Sequence, residues 1–290
     1  MVMCARGPMA TVEGPDPGSP PAPAAVGTVP AAVAVELLAT GTLTWEGALP
    51  GASNATIRAI CSREDASVRC VVKPVAGERP LWDFPVGTLS AREVAAYEVS
   101  VALGWSLVPP TVWREDTEVG AAMVQLWVEE DPHSSAVRVV APDEVPPGWA
   151  AILDGHDHAG AAVVLIHELT DRMEKMAVFD AVINNGDRKG GHVISDSDGV
   201  AWAIDHGVSL SVEPKLRGVL WGWAGEPISE SVLRDLRGFQ ELLAGDSQRF
   251  DVSLTVQEQV ALRERVDTLV ASGMHPLPSG EWPAIPWPIM

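Results

Sequence analysis

The sequence is short of positive charge, of cysteine, and of every aromatic residue except tryptophan. Lys and Arg number 20 against 39 Asp and Glu, a formal net charge of −19. That balance argues against nucleic acid and anionic membrane as general partners, because both recruit clustered Lys and Arg. It leaves room for a nucleotide, which needs only a few local donors. The three cysteines, Cys4, Cys61 and Cys70, form neither a disulfide framework nor a zinc-ligand spacing. A hairpin would bring Cys61 and Cys70 face to face; free core thiols in a reducing cytoplasm are the expected state. A bilayer-spanning apolar run is also missing. The charge-free stretch 17–35 carries five prolines, which disfavour a spanning helix. No integral membrane association is expected. The opening MVMCARGPMA has no apolar run behind its Arg, so no secretory signal is expected and the cytoplasm is the expected location.

What is present supports a substantial core. Hydrophobic residues make up 47% of 290, enough for one large domain or two lobes. Residues 1–30 are rich in Pro, Ala and Gly and are expected to be a disordered tail. A short helix is expected over 32–40. The β-branched runs TLTWEGAL, ATIRAICS and SVRCVVKPV predict three antiparallel strands, the first two joined by a turn containing Gly51, Ala52, Ser53 and Asn54. Residues 80–90 read as a loop. The next helix is expected over 91–104, with Ser90 and Glu93 at capping-box spacing and Gly104 as its stop. TVWRE and AAMVQLWVEE read as two further strands. Turn formers and charges predict a surface loop over 131–160. Leu165, Leu169, Met173, Met176 and Phe179 predict a helix within 161–184. A strand at 200–204 and two amphipathic helices follow, and Pro276–Met290 is expected to be an irregular tail. The organisation is thus a sheet lobe at 31–130, a loop, and a helical lobe at 161–275, an α+β fold.

Two segments carry candidate chemistry: NNGDRKGGHVI at 184–194 and AIDHG at 203–207. Each places an Asp in a glycine-flanked turn beside an apolar run. Phosphoryl transfer needs a backbone loop over the phosphates, a strand Lys held by a helix Glu, one Asp near the nucleophile and another on the metal. The chain offers candidates in that order: Gly51–Asn54, Lys73, Glu93, Asp187 and Asp205. Each alone reads as a hairpin, a strand end, a cap or a turn; the ordered set is what carries weight. His156, Asp157 and His158 read as a solvated loop. HELTD lacks the second His of a zinc-protease helix.

With VVKP, the REVAAYEVS helix followed by LGWSLVPPT, and KLRGVLWGWAG, these segments resemble phosphatidylinositol 3-/4-kinase-like proteins, specifically an actinobacterial branch, over roughly residues 35–270. The resemblance implies a two-lobed kinase-like fold, a small antiparallel-sheet N-lobe and a mainly helical C-lobe, binding ATP and Mg²⁺. It makes Asp187 the catalytic-loop acid, Arg188 its brace, and Asp205 the metal ligand. Lys73 would contact phosphate and pair with Glu93. Gln125, Leu126, Trp127 and Val128 would receive adenine. Two positions depart from the family. His192 stands where the family has Asn, and His206 where it has Phe. His192 leaves two readings: a second metal ligand, with Mn²⁺ an option, or altered chemistry. The expected function is an ATP-dependent phosphotransferase acting on a hydroxyl of a soluble small molecule or protein, rather than a lipid. The alternatives are a nucleotide-binding pseudokinase with a protein partner, and a protein AMP-transferase.

Overall fold

The computed structural model describes residues 29–50, 54–131, 133–245, 250, 253–280 and 283–290. The tail at 1–28 and the turn residues Gly51, Ala52 and Ser53 lie outside the described residues. The fold is α+β, with a small antiparallel-sheet lobe followed by a region rich in helices.

Helix α1 (Ala31–Thr40) precedes strands β1 (Thr42–Ala48), β2 (Ile57–Arg63) and β3 (Ala66–Pro74). Helix α2 (Leu89–Ala102) follows, then β4 (Thr111–Thr117) and β5 (Gly120–Leu126). The five strands form one antiparallel sheet in the order β1-β2-β3-β5-β4. Alternation along β3 buries Val68, Cys70 and Val72 against α1 residues Leu37 and Leu38. The same pleat sends Val71 and Lys73 to the opposite face. Cys61 and Cys70 are buried free thiols. They miss each other by two positions in register, Cys61 opposing Val68 and Cys70 opposing Ala59.

Helix α2 starts two residues earlier than the sequence predicts, and its cap differs. Ser90 lies inside the helix, where its hydroxyl donates to the Lys73 carbonyl. The capping work falls to Glu78, whose carboxylate accepts from Leu89 and Ser90 N–H at 3.1 and 2.8 Å, satisfying orphan donors of the first turn. Glu93 is thereby released for another partner. Ala95, Ala96 and Val99 of α2 join the second core, that of the helical region.

Residues 131–160 are not the predicted loop. They contain β6 (Val137–Val140) and β7 (Trp149–His156), which flank β8 (Ala162–Glu168) in a three-stranded antiparallel sheet. Both are edge strands with largely exposed faces, so they lack the apolar alternation that marks a half-buried strand. The helix expected from residue 161 begins only at Asp171: α3 spans Asp171–Val182, capped by the Thr170 hydroxyl, which accepts from Met173 N–H. The β-branched run Val163–Ile166 belongs to β8, and Leu169, counted in the helical periodicity, is 42% exposed.

Short strands β9 (Val193–Ser195) and β10 (Ala201–Ala203) pair, and helices α4 (Glu230–Gly245) and α5 (Val256–Ser272) complete the helices and strands of the described residues. Helix α5 has the capping box that α2 lacks, formed by Thr255 and Glu258. The described residues of 276–290 form neither helix nor strand. Among the described residues no helix is long and apolar enough to cross a membrane.

A clamp between residues distant in sequence joins the loop between β3 and α2 to the segment beyond Asp205. Lys215 Nζ bonds Asp83 Oδ2 at 2.6 Å and lies over the rings of Trp82 and Phe84. Arg92 of α2 also covers Phe84, donates to Ser209 O at 2.8 Å, and pairs with Glu258 of α5.

Candidate functional site

A cavity of about 240 Å³ lies between the sheet and the β9–β10 region. It is lined by Lys73 and Val71 of β3, by Gln125 to Val128 at the end of β5, by Asn54 and Thr56, and by Asp205. The strand pleat explains Lys73. The left-handed backbone of Asp205, φ 60°, explains how its carboxylate turns back toward the sheet after β10. Asp and Asn tolerate that conformation better than most residues.

Lys73 is the hub. Its Nζ lies 2.5 Å from Glu93 Oε1 and 2.8 Å from Asp205 Oδ1. Glu93 Oε2 accepts from His206 N–H at 2.8 Å, fastening α2 to the turn that carries Asp205. Burial alone would push the Lys73 ammonium down, but the charges of Asp205 and Glu93 outweigh it and hold the pKa above its usual range. The same ammonium holds the Asp205 carboxyl well below the usual carboxylate range. Burial pushes Glu93 upward and Lys73 opposes it. The cluster carries one carboxylate more than it needs for neutrality. The Asp205 side chain is 46% exposed, so the surplus charge faces the cleft.

Arg188 stitches the two acidic turns together from below and is fully buried. Its guanidinium makes a bidentate pair with Asp180 of α3 at 2.8 and 2.9 Å. It also donates to the carbonyls of His192 and Ile204 and to His206 Nε2. Arg188 has no acceptor atoms, so the His206 proton resides on Nδ1. Burial, then the Arg188 charge, drive His206 well below its ordinary pKa.

Asp187 is not among the cleft-lining residues. Its carboxylate pairs with Lys189 Nζ at 3.0 Å, and its N–H donates to the Asn185 side chain. Asp187 and Lys189 flank the fully buried Arg188 and are themselves only partly buried. Sequence reasoning passed over Lys189 and Asp180. The signals were a cation two residues beyond Asp187 and an acid set in the apolar run VFDAVI.

Two candidate metal donors face each other beside the cleft. His192 Nε2 lies 3.3 Å from Asp205 Oδ2, so the two converge. His192 Nδ1, however, is buried without a partner, whereas metal-bound imidazoles ordinarily anchor the second nitrogen. Among the described residues no group of three or more His, Cys, Asp or Glu could hold a metal ion. The described side chains thus offer a cation no complete coordination sphere; Asp205 is the better donor of the two.

At the cleft's inner edge, Leu126 and Trp127 N–H donate to Pro110 and Arg69 carbonyls. Among the described residues the main-chain N–H and C=O of Val128, a buried cleft-lining residue, take no backbone hydrogen bond. A donor and an acceptor are thus left on one lining residue. Gln125 is occupied by Thr111. Asn54 uses its side-chain oxygen on Arg79 N–H.

The neutral state of the buried histidines has a stability consequence. His167, His192, His206 and His275 all have lowered pKa values, each led by burial. The unfolded chain takes up these protons near ~6.5. The folded chain resists, so stability is full above that pH and declines on acidification. The melting temperature should fall steadily between pH 7.5 and 5; an unchanged value across that range would contradict the neutral assignment.

No protein-family model matches the chain. It is 44% identical over 262 residues to Protein Rv2133c of Mycobacterium tuberculosis (strain ATCC 25618 / H37Rv), covering 87% of this chain and 94% of that protein. At that identity and coverage, the chain belongs to the family of Rv2133c.

Proposed function

We propose that the protein is an ATP-dependent phosphotransferase that delivers the γ-phosphoryl group to a hydroxyl acceptor. The observation that carries this reading is Lys73 held between Glu93 and Asp205 at the wall of one cleft. A lone ammonium on a strand would be solvated. One fixed by a buried Glu and an exposed Asp is preorganised for phosphate oxygens. Val128 supplies the donor and acceptor for a base at the far end of the same cleft.

In this reading Lys73 binds the nucleotide's phosphates and Glu93 fixes its direction. Asp205, with His192 beside it, would hold Mg²⁺, which neutralises charge on the phosphates when bound. Asp187 orients the acceptor hydroxyl and takes its proton. Lys189, 3.0 Å from Asp187, restrains that carboxylate. Catalysis comes from positioning and charge neutralisation, with no covalent enzyme intermediate. The acceptor is a soluble small molecule or a protein. Lys215, one of two basic residues in the loop beyond Asp205, is consumed by Asp83, which leaves little to hold a lipid headgroup.

A second reading has its own observation. The orphaned Nδ1 of His192 makes that residue a poor metal ligand, which favours a nucleotide-binding module without transfer. A screen of metabolites and proteins with γ-labelled ATP and Mg²⁺ or Mn²⁺ separates the two. The expected result is acceptor labelling by the parent chain and none by Asp205→Asn. Calorimetric ATP binding with no label on any acceptor selects the second reading. Equal labelling by both proteins removes Asp205 from the mechanism. A target gaining the mass of AMP identifies adenylyl transfer instead.

A further inference from the structure

The paired glycines of NNGDRKGGH have a contact that the proposed chemistry does not use. Gly190 N–H donates to the Ile289 carbonyl at 2.8 Å. A Cβ placed on Gly190 would lie 2.4 Å from Met290 Sδ and 3.1 Å from Val137 Cγ1; one on Gly191 would touch the Met290 backbone. At the other end of the same segment, the Ala284 carbonyl accepts from Gly218 N–H at 2.9 Å and from Trp221 Nε1 at 3.0 Å. Ile285 and Ile289 pack against the core of the helical region. Residues 284–290 therefore run as a strap from the loop beyond Asp205 to the loop between Asp187 and His192. Gly218 is itself bridged to Arg188.

We infer that this strap is a positioning element for the candidate site, holding the loop of Asp187, Lys189 and His192 in register with the Asp205 turn. The loop is three residues of tight helix, Gly190–His192, with no side-chain cap. Its glycines are free to take many conformations; Arg188 and Ile204 N–H hold its His192 end through the carbonyl, and the strap supplies the hydrogen bond and the apolar cover at its Gly190 end. The strap is not among the residues lining the nucleotide cleft. Its loss should therefore separate loop order from nucleotide binding.

The effect on transfer rests on the proposed phosphotransferase activity; the effect on loop order does not. Two variants unseat the strap differently: deletion of residues 284–290, and the full-length Ile285→Asp/Ile289→Asp pair. Hydrogen exchange is measured on peptides covering 187–193 and, as reference, on α3. The expected result is exchange about tenfold faster or more at 187–193, with α3 protection retained. ATP affinity should stay within about threefold while acceptor turnover falls about tenfold or more, a kcat loss without a binding loss. Unchanged exchange at 187–193 in both variants overturns the inference. So does an equal loss of protection in α3, which would make the strap ordinary core packing. If the parent chain labels no acceptor, the phosphotransferase reading fails by itself, and the exchange comparison still decides the strap.

Discussion

Asp205→Asn is expected to fold like the parent and to lose metal-dependent nucleotide turnover by roughly a thousandfold, on the order of 4 kcal/mol of barrier. The substitution is chosen for its conformation. Residue 205 sits at φ 60°, and Asn enters that region as readily as Asp. An amide oxygen can still accept from Lys73, and Lys73 keeps Glu93 at 2.5 Å. What disappears is the negative charge facing the cleft. Its stabilising contribution exists at neutral pH, because the pKa lies below the usual carboxylate range and is lost only in strong acid. The side chain is 46% exposed, so solvent screening keeps that contribution to about 0–1 kcal/mol. Thermal melting and labelled turnover at pH 7.5 check both halves. A variant that melts like the parent and turns over at the parent rate would leave the two-acid proposal without support.

The largest stability effect should come from Arg188. Removing a buried partner strands the other charge, which typically costs about 3–5 kcal/mol. Arg188→Met leaves Asp180, 3% exposed, with its carboxylate facing an apolar side chain. It also strips donors from the carbonyls of His192 and Ile204 and from His206 Nε2. Asn185 still donates to Asp180 at 2.9 Å, which softens the loss without replacing the guanidinium. The double variant Asp180→Asn/Arg188→Met should recover part of the loss, since no buried charge is then left unpaired. Urea unfolding of both proteins provides the comparison. A single variant within about 1 kcal/mol of the parent would mean that the pair is dispensable.

The parts of the site legible in the sequence were those that repeat a simple period or sit next to glycine. Lys73 falls on the face of β3 opposite Val68, Cys70 and Val72 because strand side chains alternate. Asp187 and Asp205 stood out as acids in turns between apolar runs. Met173, Met176 and Phe179 announced α3 correctly, but the same count swept in Leu165 and Leu169, since a few apolar residues cannot separate a buried strand from a helix. Other features depend on partners far along the chain and carry no local sign. Glu93 has the spacing of a cap to Ser90, and only the fold shows that Glu78, eleven residues before the helix starts, performs that task. The pairing of Asp180 with Arg188 crosses a helix end. The edge strands β6 and β7 are largely exposed and are set among stretches rich in Pro, Asp and Gly, which disguised them as loop. The seating of Met290 on Gly190 joins residues a hundred positions apart.

The clamp of Lys215 by Asp83, Trp82 and Phe84 has a thermodynamic consequence for the whole molecule. Two separate apolar cores would ordinarily melt in two steps, the weaker first. Here an ammonium largely withdrawn from water ties the loop between β3 and α2 to the segment beyond Asp205. Lys73 of β3 adds a second rivet through Glu93 of α2 and through Asp205, so loosening either half exposes an unpaired charge in its neighbour. The two halves should therefore unfold in a single calorimetric transition.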